Sequence, residues 1–252
     1  MKTWRELHRI VAGMDEIVRI PTHIEGLDES LQGGIPKEHL CIIAGASGAM
    51  KSSVSFSLLY NAVLYGETSG IYVTLEQSKH SLRSHMSNMG MNVDDVRVRN
   101  RIAIIDLADL RVQLDQQGMN NRIDWMGQLI KQLTSYRESI GFELLVFDSL
   151  GAFFTLTKME NPRDEIFRLF EAVRRLGLTS FFICEMTGED HKKFGEYGVE
   201  DYLADGVIHL VMERNKDDVT RKLGVVKMRH THHKLGYFPL SWKEEEQRFS
   251  IN

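Results

Sequence analysis

The chain has 252 residues, 42% of them hydrophobic and 26% charged, with a formal net charge of −4. This composition is typical of a globular protein that buries one large core, and no apolar run approaches the roughly 20 residues of a membrane span. The slightly negative charge argues against broad, non-specific nucleic-acid binding, which requires a basic surface. Because the start lacks the apolar core of a signal peptide and Cys41 and Cys184 sit in apolar runs, we expect a cytoplasmic protein with core thiols.

Residues 1–20 predict an amphipathic helical segment that precedes a single domain over residues 21–252. Its apolar residues recur at intervals of three and four positions, at Trp4, Leu7, Ile10, Val11, Met14 and Ile17. Two interpretations stay open. The stripe packs on its own domain, which we favour, or it docks on a neighbouring subunit.

The domain begins with short apolar runs separated by helical patterns. The runs predict five strands, at Leu40–Ala44, Ile71–Leu75, Ile102–Leu107, Leu144–Phe147 and Ser180–Cys184. A helix over Ser52–Tyr65 places five residues on one face: Ser55, Leu58, Leu59, Ala62 and Val63. A second helix begins near Arg122, and a third opens with Asn161 as its N-cap and Pro162 in its first turn. Continuous apolar strands interleaved with helices predict an α/β fold with a mainly parallel sheet, flanked by helices on both faces.

After Gly206 the pattern changes to strands joined by turns. These strands are predicted at Val207–Met212, Thr220–Lys227 and Tyr237–Trp242, with a hairpin tip at residues 215–218. We expect them to form C-terminal antiparallel strands that extend the parallel core.

The stretch after the first strand is the most informative in the chain. Gly45, Lys51 and Ser52 match the phosphate-binding pattern G-x-x-x-x-G-K-[ST], between a strand and a helix as that loop requires. Backbone N–H groups of such a loop surround phosphates at the positive end of the helix. The candidate nucleotide-binding residues are Gly45, Ala46, Ser47, Gly48, Ala49, Met50, Lys51, Ser52 and Ser53. Lys51 would reach the β- and γ-phosphates of ATP or ADP, and Ser52 would hold Mg²⁺.

Met50 stands where the pattern has its second glycine. Methionine in helical dihedrals, with its side chain turned away, would leave nucleotide binding intact. If the position requires positive φ or the space beside the phosphate, Met50 would block the site. We favour retained binding, and both outcomes stay open for hydrolysis.

A carboxylate follows the apolar run Leu144–Phe147 directly, at Asp148. A strand that ends in aspartate downstream of a phosphate-binding loop is where such proteins hold Mg²⁺. Ser52 and Asp148 are therefore the candidate metal ligands.

The order of motifs resembles the KaiC-like branch of the RecA superfamily, which includes single-domain archaeal paralogues. The resemblance covers residues from about Pro21 to the C-terminus, and His23 and His230 replace glycines of the family pattern. Besides the phosphate-binding loop, five segments carry it: Thr22–Asp28, Gly33–Pro36, Tyr72–Gln77, Tyr197–Asp201 and Lys227–His233.

The resemblance implies roles for four further residues. Glu76 falls on the family's general base or water-positioning acid, and Gln77 replaces the second acid of that pair. Lys227 and Arg229 resemble the cationic fingers that reach the γ-phosphate of an adjacent subunit, where cations stabilise developing charge. His233 matches a histidine of the same nucleotide-contacting element. Active sites between subunits imply a homo-oligomeric ring, a hexamer as in the family.

The leading hypothesis is an ATP-binding, slowly hydrolysing regulatory switch with a regulatory protein as a further partner. Two alternatives stay open: a nucleotide-gated assembly module without turnover, and a recombination accessory protein that binds single-stranded DNA. The run Arg97–Arg101 could supply a basic patch for DNA, although a solvated charge cluster explains it equally well. Autophosphorylation also stays open, with Ser149, Thr155 and Thr157 among the candidate acceptors.

Overall fold

The computed structural model describes residues 17–107, 109, 112, 124–157, 161–186 and 193–251. The predicted N-terminal stripe, apart from Ile17, lies outside these residues. None of the helices in the described ranges is long and apolar enough to cross a membrane.

The strands match the predicted positions closely and add three that the sequence pattern missed, β1, β2 and β11. In chain order they are β1 Arg19–Ile20, β2 Ile35–Pro36, β3 Leu40–Gly45, β4 Gly70–Thr74, β5 Ile102–Asp106, β6 Leu144–Asp148, β7 Thr179–Glu185, β8 Gly206–Asn215, β9 Asp218–Met228, β10 Tyr237–Lys243 and β11 Arg248–Ile251. β1 and β11 have two and four residues, too few to establish an alternating pattern.

The sequence pattern predicted three of the helices in the described residues, those that begin at Lys51, Trp125 and Pro162, and missed the other four. They are α1 Leu27–Ser30, α2 Lys51–Tyr65, α3 Lys79–Asn88, α4 Trp125–Ile140, α5 Leu150–Thr157, α6 Pro162–Arg175 and α7 Glu200–Leu203. Asn161 does precede α6, but its side chain makes no cap hydrogen bond. Its amide donates instead to Asp164 at 2.7 Å.

Nine strands of the described residues form one sheet in the order β11-β10-β9-β8-β3-β7-β6-β4-β5. The six strands from β8 to β5 are parallel to one another, and β9, β10 and β11 continue the sheet antiparallel. The predicted α/β fold is confirmed. The assignment of β8 to the antiparallel extension alone was wrong: β8 pairs parallel with β3 and antiparallel with β9, whose hairpin closes between Asn215 and Asp218.

Helices cover both faces of the sheet. α2 and α3 pack on one face, and α4, α5 and α6 pack on the other, each set within its own apolar cluster. The five residues predicted to share one face of α2 are all buried, and residues on its other faces, such as Val54, Phe56 and Ser57, are buried as well. α2 lies between the sheet and the segments on its outer side, so it presents no solvated face over most of its length.

Candidate functional site

The phosphate-binding loop connects the carboxyl end of β3 to the start of α2. Gly45 must be glycine because a Cβ there would lie 2.5 Å from the Leu210 carbonyl oxygen on neighbouring β8. Gly48 has φ 81° and so occupies the left-handed region that glycine tolerates. The loop thus places its backbone N–H groups at the N-terminus of a 15-residue helix, a geometry that favours anions.

Met50 adopts the conformation of the glycine that it replaces. Its dihedrals are φ 69° and ψ 26°, in the left-handed region, so the expectation of helical dihedrals was wrong. Met50 itself adopts the positive φ that we expected only glycine to supply, so this backbone conformation does not exclude methionine from the loop. The left-handed conformation costs a non-glycine residue about 1–2 kcal/mol. The side chain packs against the apolar cluster around α2 and also lines the cavity beside the loop.

We predict that Met50→Gly is more stable than Met50→Ala by about 1 kcal/mol. Both variants lose the methionine packing, and only glycine relieves the left-handed backbone. In a right-handed helical position the order would be reversed, because alanine is then the better residue by about 1 kcal/mol. Urea unfolding of the two variants measures the difference, and a more stable alanine variant would contradict the assigned backbone.

Lys51 is almost fully buried at the base of the loop. Its side chain is 8% exposed, and its Nζ donates to the Ala46 carbonyl at 3.0 Å and to Glu185 Oε1 at 3.5 Å. Glu185 ends β7, the strand beside β3. Lys51 is therefore oriented by the carbonyl of Ala46 in the loop and by Glu185 at the end of the neighbouring strand β7.

Asp148 ends β6 and is 3% exposed. The Tyr72 hydroxyl, from β4, donates to Asp148 Oδ2 at 2.6 Å. Burial raises the pKa of the Asp148 carboxyl, while hydrogen bonds with Tyr72 and Ser52 partly offset this rise. The sequence did not single out Tyr72 for this contact, although a tyrosine in an otherwise apolar buried strand signals a hydroxyl that needs a partner.

Tyr72→Phe is expected to destabilise the fold by about 1–3 kcal/mol near neutral pH, since it leaves a buried carboxylate oxygen without its donor. The raised folded-state pKa of Asp148 means that the folded state binds the proton more tightly than the unfolded state. The variant should therefore recover stability as the pH falls and Asp148 becomes protonated. Urea unfolding at pH 7 and pH 5 tests this, with Tyr136→Phe as the control at a partly exposed tyrosine. An equal loss at both pH values would contradict it.

Glu76 follows β4 and faces the same space. Ser149, next to Asp148, donates a short hydrogen bond to Glu76 Oε1. The carboxyl ends of β3, β4, β6 and β7 thus bring together Lys51, Glu76, Asp148 and Glu185 around one cavity of about 330 Å³, which Ser52 and Met50 also line. Parallel strands end at one edge of the sheet, and ligands of open α/β sheets bind there.

Ser52 and Asp148 suit a hard cation. Both supply oxygen donors, and Mg²⁺ keeps several waters and phosphate oxygens when one or two protein groups hold it. The described residues contain no group of three or more His, Cys, Asp or Glu side chains that could hold a metal without such help. The donor set therefore fits Mg²⁺ bound together with a phosphate, and it does not fit a closed structural metal site.

Arg221 is a contact of the loop that sequence analysis missed. From β9, its Nε donates to the Gly48 carbonyl at 3.2 Å, and the Met212 side chain of β8 lies under the same glycine. An isolated arginine on a strand carries no local signal for such a contact.

Lys227 and Arg229 lie near the amino ends of the parallel strands, which we call the amino edge of the sheet. The phosphate-binding loop of the same chain lies at the carboxyl ends of these strands, the carboxyl edge. Lys227 of β9 pairs with Val207 of β8, and Val207 in turn pairs with Ile42 of β3. Ile42 comes three residues before Gly45, where β3 ends and the loop begins. Lys227 Nζ donates to the carbonyls of Asp201 and Ala204, at 2.8 and 2.7 Å.

Arg229 continues in the same direction past the end of β9. Its Nη1 is 2.8 Å from Asp205 Oδ1, and its N–H donates to the Asp205 carbonyl. Arg174 and the Leu40 N–H also bind the Asp205 carboxylate. Burial alone would raise the pKa of Asp205, but these donors lower it overall.

His233 lies in the segment that follows Arg229, between β9 and β10. Both of its ring nitrogens are buried and lack a hydrogen-bond partner among the described residues. Its neighbours His232 and Lys234 bond through their backbone N–H groups to Gln32 and Ser30. Lys227, Arg229 and His233 are therefore not part of the cavity around Lys51 in the same chain.

Two arginines of the run 97–101, Arg97 and Arg101, already bind groups of the same chain. Arg97 forms an ion pair with Asp95 at 2.6 Å, and Arg101 donates to the carbonyls of Gly66 and Thr68. A larger cavity of about 540 Å³ opens nearby, but acidic and basic side chains both line it. Tyr60 and Tyr65 contribute aromatic rings to this cavity, but four acidic residues line it together with Arg97 and Arg248, so it is not the uniformly basic groove that single-stranded DNA favours.

The fold and the loop together define a nucleotide-binding protein of the RecA type. A family model described as the KaiC ATPase matches residues 20–246, and the chain belongs to this family. The resemblance found in the sequence is confirmed.

Two curated relatives illustrate the range of similarity. The chain is 28% identical over 232 residues to a circadian clock oscillator protein KaiC of Parasynechococcus marenigrum, covering 90% of this chain and 43% of that one. It is 32% identical over 226 residues to a UPF0273 protein of Thermotoga maritima, covering 88% of this chain and 92% of that one. The chain thus spans less than half the length of the KaiC relatives that it matches.

A solved structure supports the fold. A KaiC-like protein from the archaeon Pyrococcus horikoshii superposes with a TM-score of 0.77 at 22% identity, covering 94% of this chain and all of that one. At this identity the likeness concerns the fold.

Proposed function

We propose that this protein binds ATP with Mg²⁺ and hydrolyses it slowly, as a single ATPase domain over residues 21–252 that acts as a regulatory switch. The observation that carries the proposal is the convergence of Lys51, Ser52, Glu76 and Asp148 on one cavity at the carboxyl edge of the sheet. Backbone N–H groups of residues 45–53 bind the phosphates, and Lys51 adds a positive charge at the β- and γ-phosphates.

The reaction is an in-line attack of water on the γ-phosphate. Glu76 orients the water and accepts its proton while the bond between the γ-phosphorus and the β,γ-bridging oxygen breaks, which yields ADP and inorganic phosphate. Ser149 orients the Glu76 carboxylate through its hydrogen bond. Ser52 and Asp148 would hold Mg²⁺, which would supply positive charge to offset that of the phosphate oxygens.

The active site is completed by a second subunit. Lys227, Arg229 and His233 lie at the amino edge of the sheet and cannot reach the loop of their own chain without rearrangement of β9. A head-to-tail interface brings the amino edge of one copy to the carboxyl edge of the next, and such an interface forms a ring when the rotation between successive copies closes. We propose a hexamer of this kind, in the cytoplasm, whose nucleotide state controls a regulatory protein partner.

Phosphate release from Mg-ATP, measured for the wild type and for Glu76→Gln, tests the proposed reaction. We expect turnover in the wild type and a loss of about a hundredfold or more in the variant. ATP affinity should be nearly unchanged, because the proposed role of Glu76 is to bind the attacking water and not the phosphates. Gln77→Ala is the neighbouring control and should keep turnover. ATP binding without turnover in the wild type would instead identify the alternative, a nucleotide-gated assembly module.

A further inference from the structure

Residues 229–234 form the turn that follows β9, and we call them the finger segment because Arg229 and His233 belong to it. The segment lies between β9 and β10, outside the hydrogen-bonded ladder that joins these two strands. Arg229 and His230 are exposed. His230 has φ 56°, in the left-handed region that a residue with a side chain disfavours. The conformation of the finger segment therefore depends on bonds to other parts of the chain.

Arg19 of β1 supplies two of these bonds through its side chain. Its Nη1 donates to Thr231 Oγ1 at 2.8 Å, and its Nη2 donates to the His230 carbonyl at 2.9 Å. Nη1 also donates to the Gly34 carbonyl at 3.3 Å, on the chain just before β2. The planar guanidinium thus joins β1, the start of β2 and the finger segment in a fixed geometry that a lysine ammonium does not reproduce.

The chain between β1 and β3 binds the same segment at three further places. These bonds join the His232 N–H to Gln32 Oε1 at 2.9 Å, the Lys234 N–H to the Ser30 carbonyl at 3.1 Å, and His39 Nε2 to the Arg229 carbonyl at 3.2 Å. Most of the bonds from residues 19–39 to the finger segment reach its backbone, so they fix the path of the turn and leave the Arg229 side chain free of this contact.

Residues 19–39 have no direct part in the cavity around Lys51. Among the described residues that line this cavity, none comes from this stretch of the chain. An effect of Arg19 on turnover would therefore have to pass through the finger segment.

We propose that Arg19 is a positioning residue for the ATP site of the neighbouring subunit. It holds the turn after β9 in place, so that Arg229 and His233 meet the γ-phosphate bound by the loop of the next copy. This inference rests on the proposed function, since it requires fingers that act between subunits.

Phosphate release and ATP affinity of Arg19→Gln test the proposal. Loss of the guanidinium should lower turnover about tenfold or more, because misplaced cations no longer stabilise the transition state. ATP affinity, measured by calorimetry, should stay within about threefold of the wild type, because the phosphate-binding loop of the same chain is intact. Wild-type turnover in Arg19→Gln would overturn the proposal.

Arg101→Gln is the matched control. Arg101 is also partly exposed and also binds carbonyls of a turn distant in sequence, those of Gly66 and Thr68, but it does not bind the finger segment. Its turnover should not change, and equal losses in the two variants would overturn the proposal. Gln32→Ala, at an exposed position, removes a different bond to the segment and should also lower turnover with ATP affinity retained. Circular dichroism checks the fold of each variant.

Mixed assemblies show on which side of the interface Arg19 acts. An equimolar mixture of Arg19→Gln with Lys51→Ala should reach about a quarter of the wild-type rate, because about one interface in four pairs an intact loop with an intact finger segment. A mixture of Arg19→Gln with Arg229→Ala should not exceed Arg19→Gln alone, since both variants are defective on the same side. A merely structural loss would give no recovery in either mixture, which would overturn the proposal.

The mixture of Lys51→Ala with Arg229→Ala separates this inference from the proposed function. Recovery there, with none for Arg19→Gln mixed with Lys51→Ala, would reject the role of Arg19 and keep the fingers. No recovery there would reject fingers that act between subunits, and the role of Arg19 with them.

Discussion

Lys51→Ala is expected to weaken ATP binding by about a hundredfold or more and to abolish phosphate release. The lysine ammonium is the only cation that the loop itself supplies to the phosphates, and a charge-assisted contact in a desolvated site is worth several-fold more than one in water. Lys51 is 8% exposed, so solvent does not replace it. Calorimetric titration with Mg-ATP and Mg-ADP measures the loss.

Two controls separate this effect from damage to the fold. Lys37→Ala removes an exposed lysine that pairs with Glu143 at the other edge of the sheet, and ATP affinity should not change. Glu185→Gln keeps the size of the Lys51 neighbour but removes its charge, and Lys51 should remain able to bind phosphate. Unchanged ATP affinity in Lys51→Ala would show that nucleotide, if bound, does not use this loop.

Mixing two inactive variants is expected to restore activity. Lys51→Ala loses the binding loop but keeps the proposed fingers, whereas Arg229→Ala keeps the loop and loses a finger. If Lys227 and Arg229 act on the loop of the next subunit, an equimolar mixture contains intact interfaces at about a quarter of its sites. Phosphate release from the mixture should therefore reach about a quarter of the wild-type rate, although each variant alone is nearly inactive.

The control for this experiment tests the ion pair that Arg229 forms with Asp205 within its own chain. Asp205→Asn breaks the same pair, 2.8 Å long, but leaves the guanidinium in place, and the variant should retain most of the turnover. A mixture that stays as inactive as its components, with both proteins present in one assembly by gel filtration, would place the complete site within a single chain. Lys227 and Arg229 would then have structural roles: Lys227 binds the carbonyls of Asp201 and Ala204, and Arg229 binds the Asp205 carboxylate.

The local pattern was sufficient for the longer strands, for three of the helices and for the loop. Apolar runs of five or six residues bounded by polar ones identify strands such as Leu40–Gly45. A strand that is buried on both faces needs apolar side chains at successive positions, so its sequence is a continuous apolar run. The signal for the phosphate-binding loop is equally local, since its glycines, lysine and serine lie within one short segment of the chain. The family resemblance followed from the order of such segments along the chain.

Local pattern failed wherever the answer depended on what lies across the fold. β8 has the same residue types whether its neighbour is parallel or antiparallel, and only its docking beside β3 decided the pairing. For Met50, the dihedrals were set by the closure of the loop between β3 and α2 and not by the preference of the residue. The burial of α2 on nearly all of its faces likewise depends on segments that are distant from it in sequence.

The sequence by itself determined the α/β fold class, the segment that would bind phosphates and the acids and cations that could act there. Tertiary structure alone decided which of them meet. It joined Lys51, Glu76 and Asp148 in one cavity and gave Asp148 its Tyr72 partner, while it placed Lys227 and Arg229 at the far edge of the sheet. The physical reason is that periodicity encodes which face of an element is buried, whereas strand order and register arise from contacts between elements that no local pattern contains.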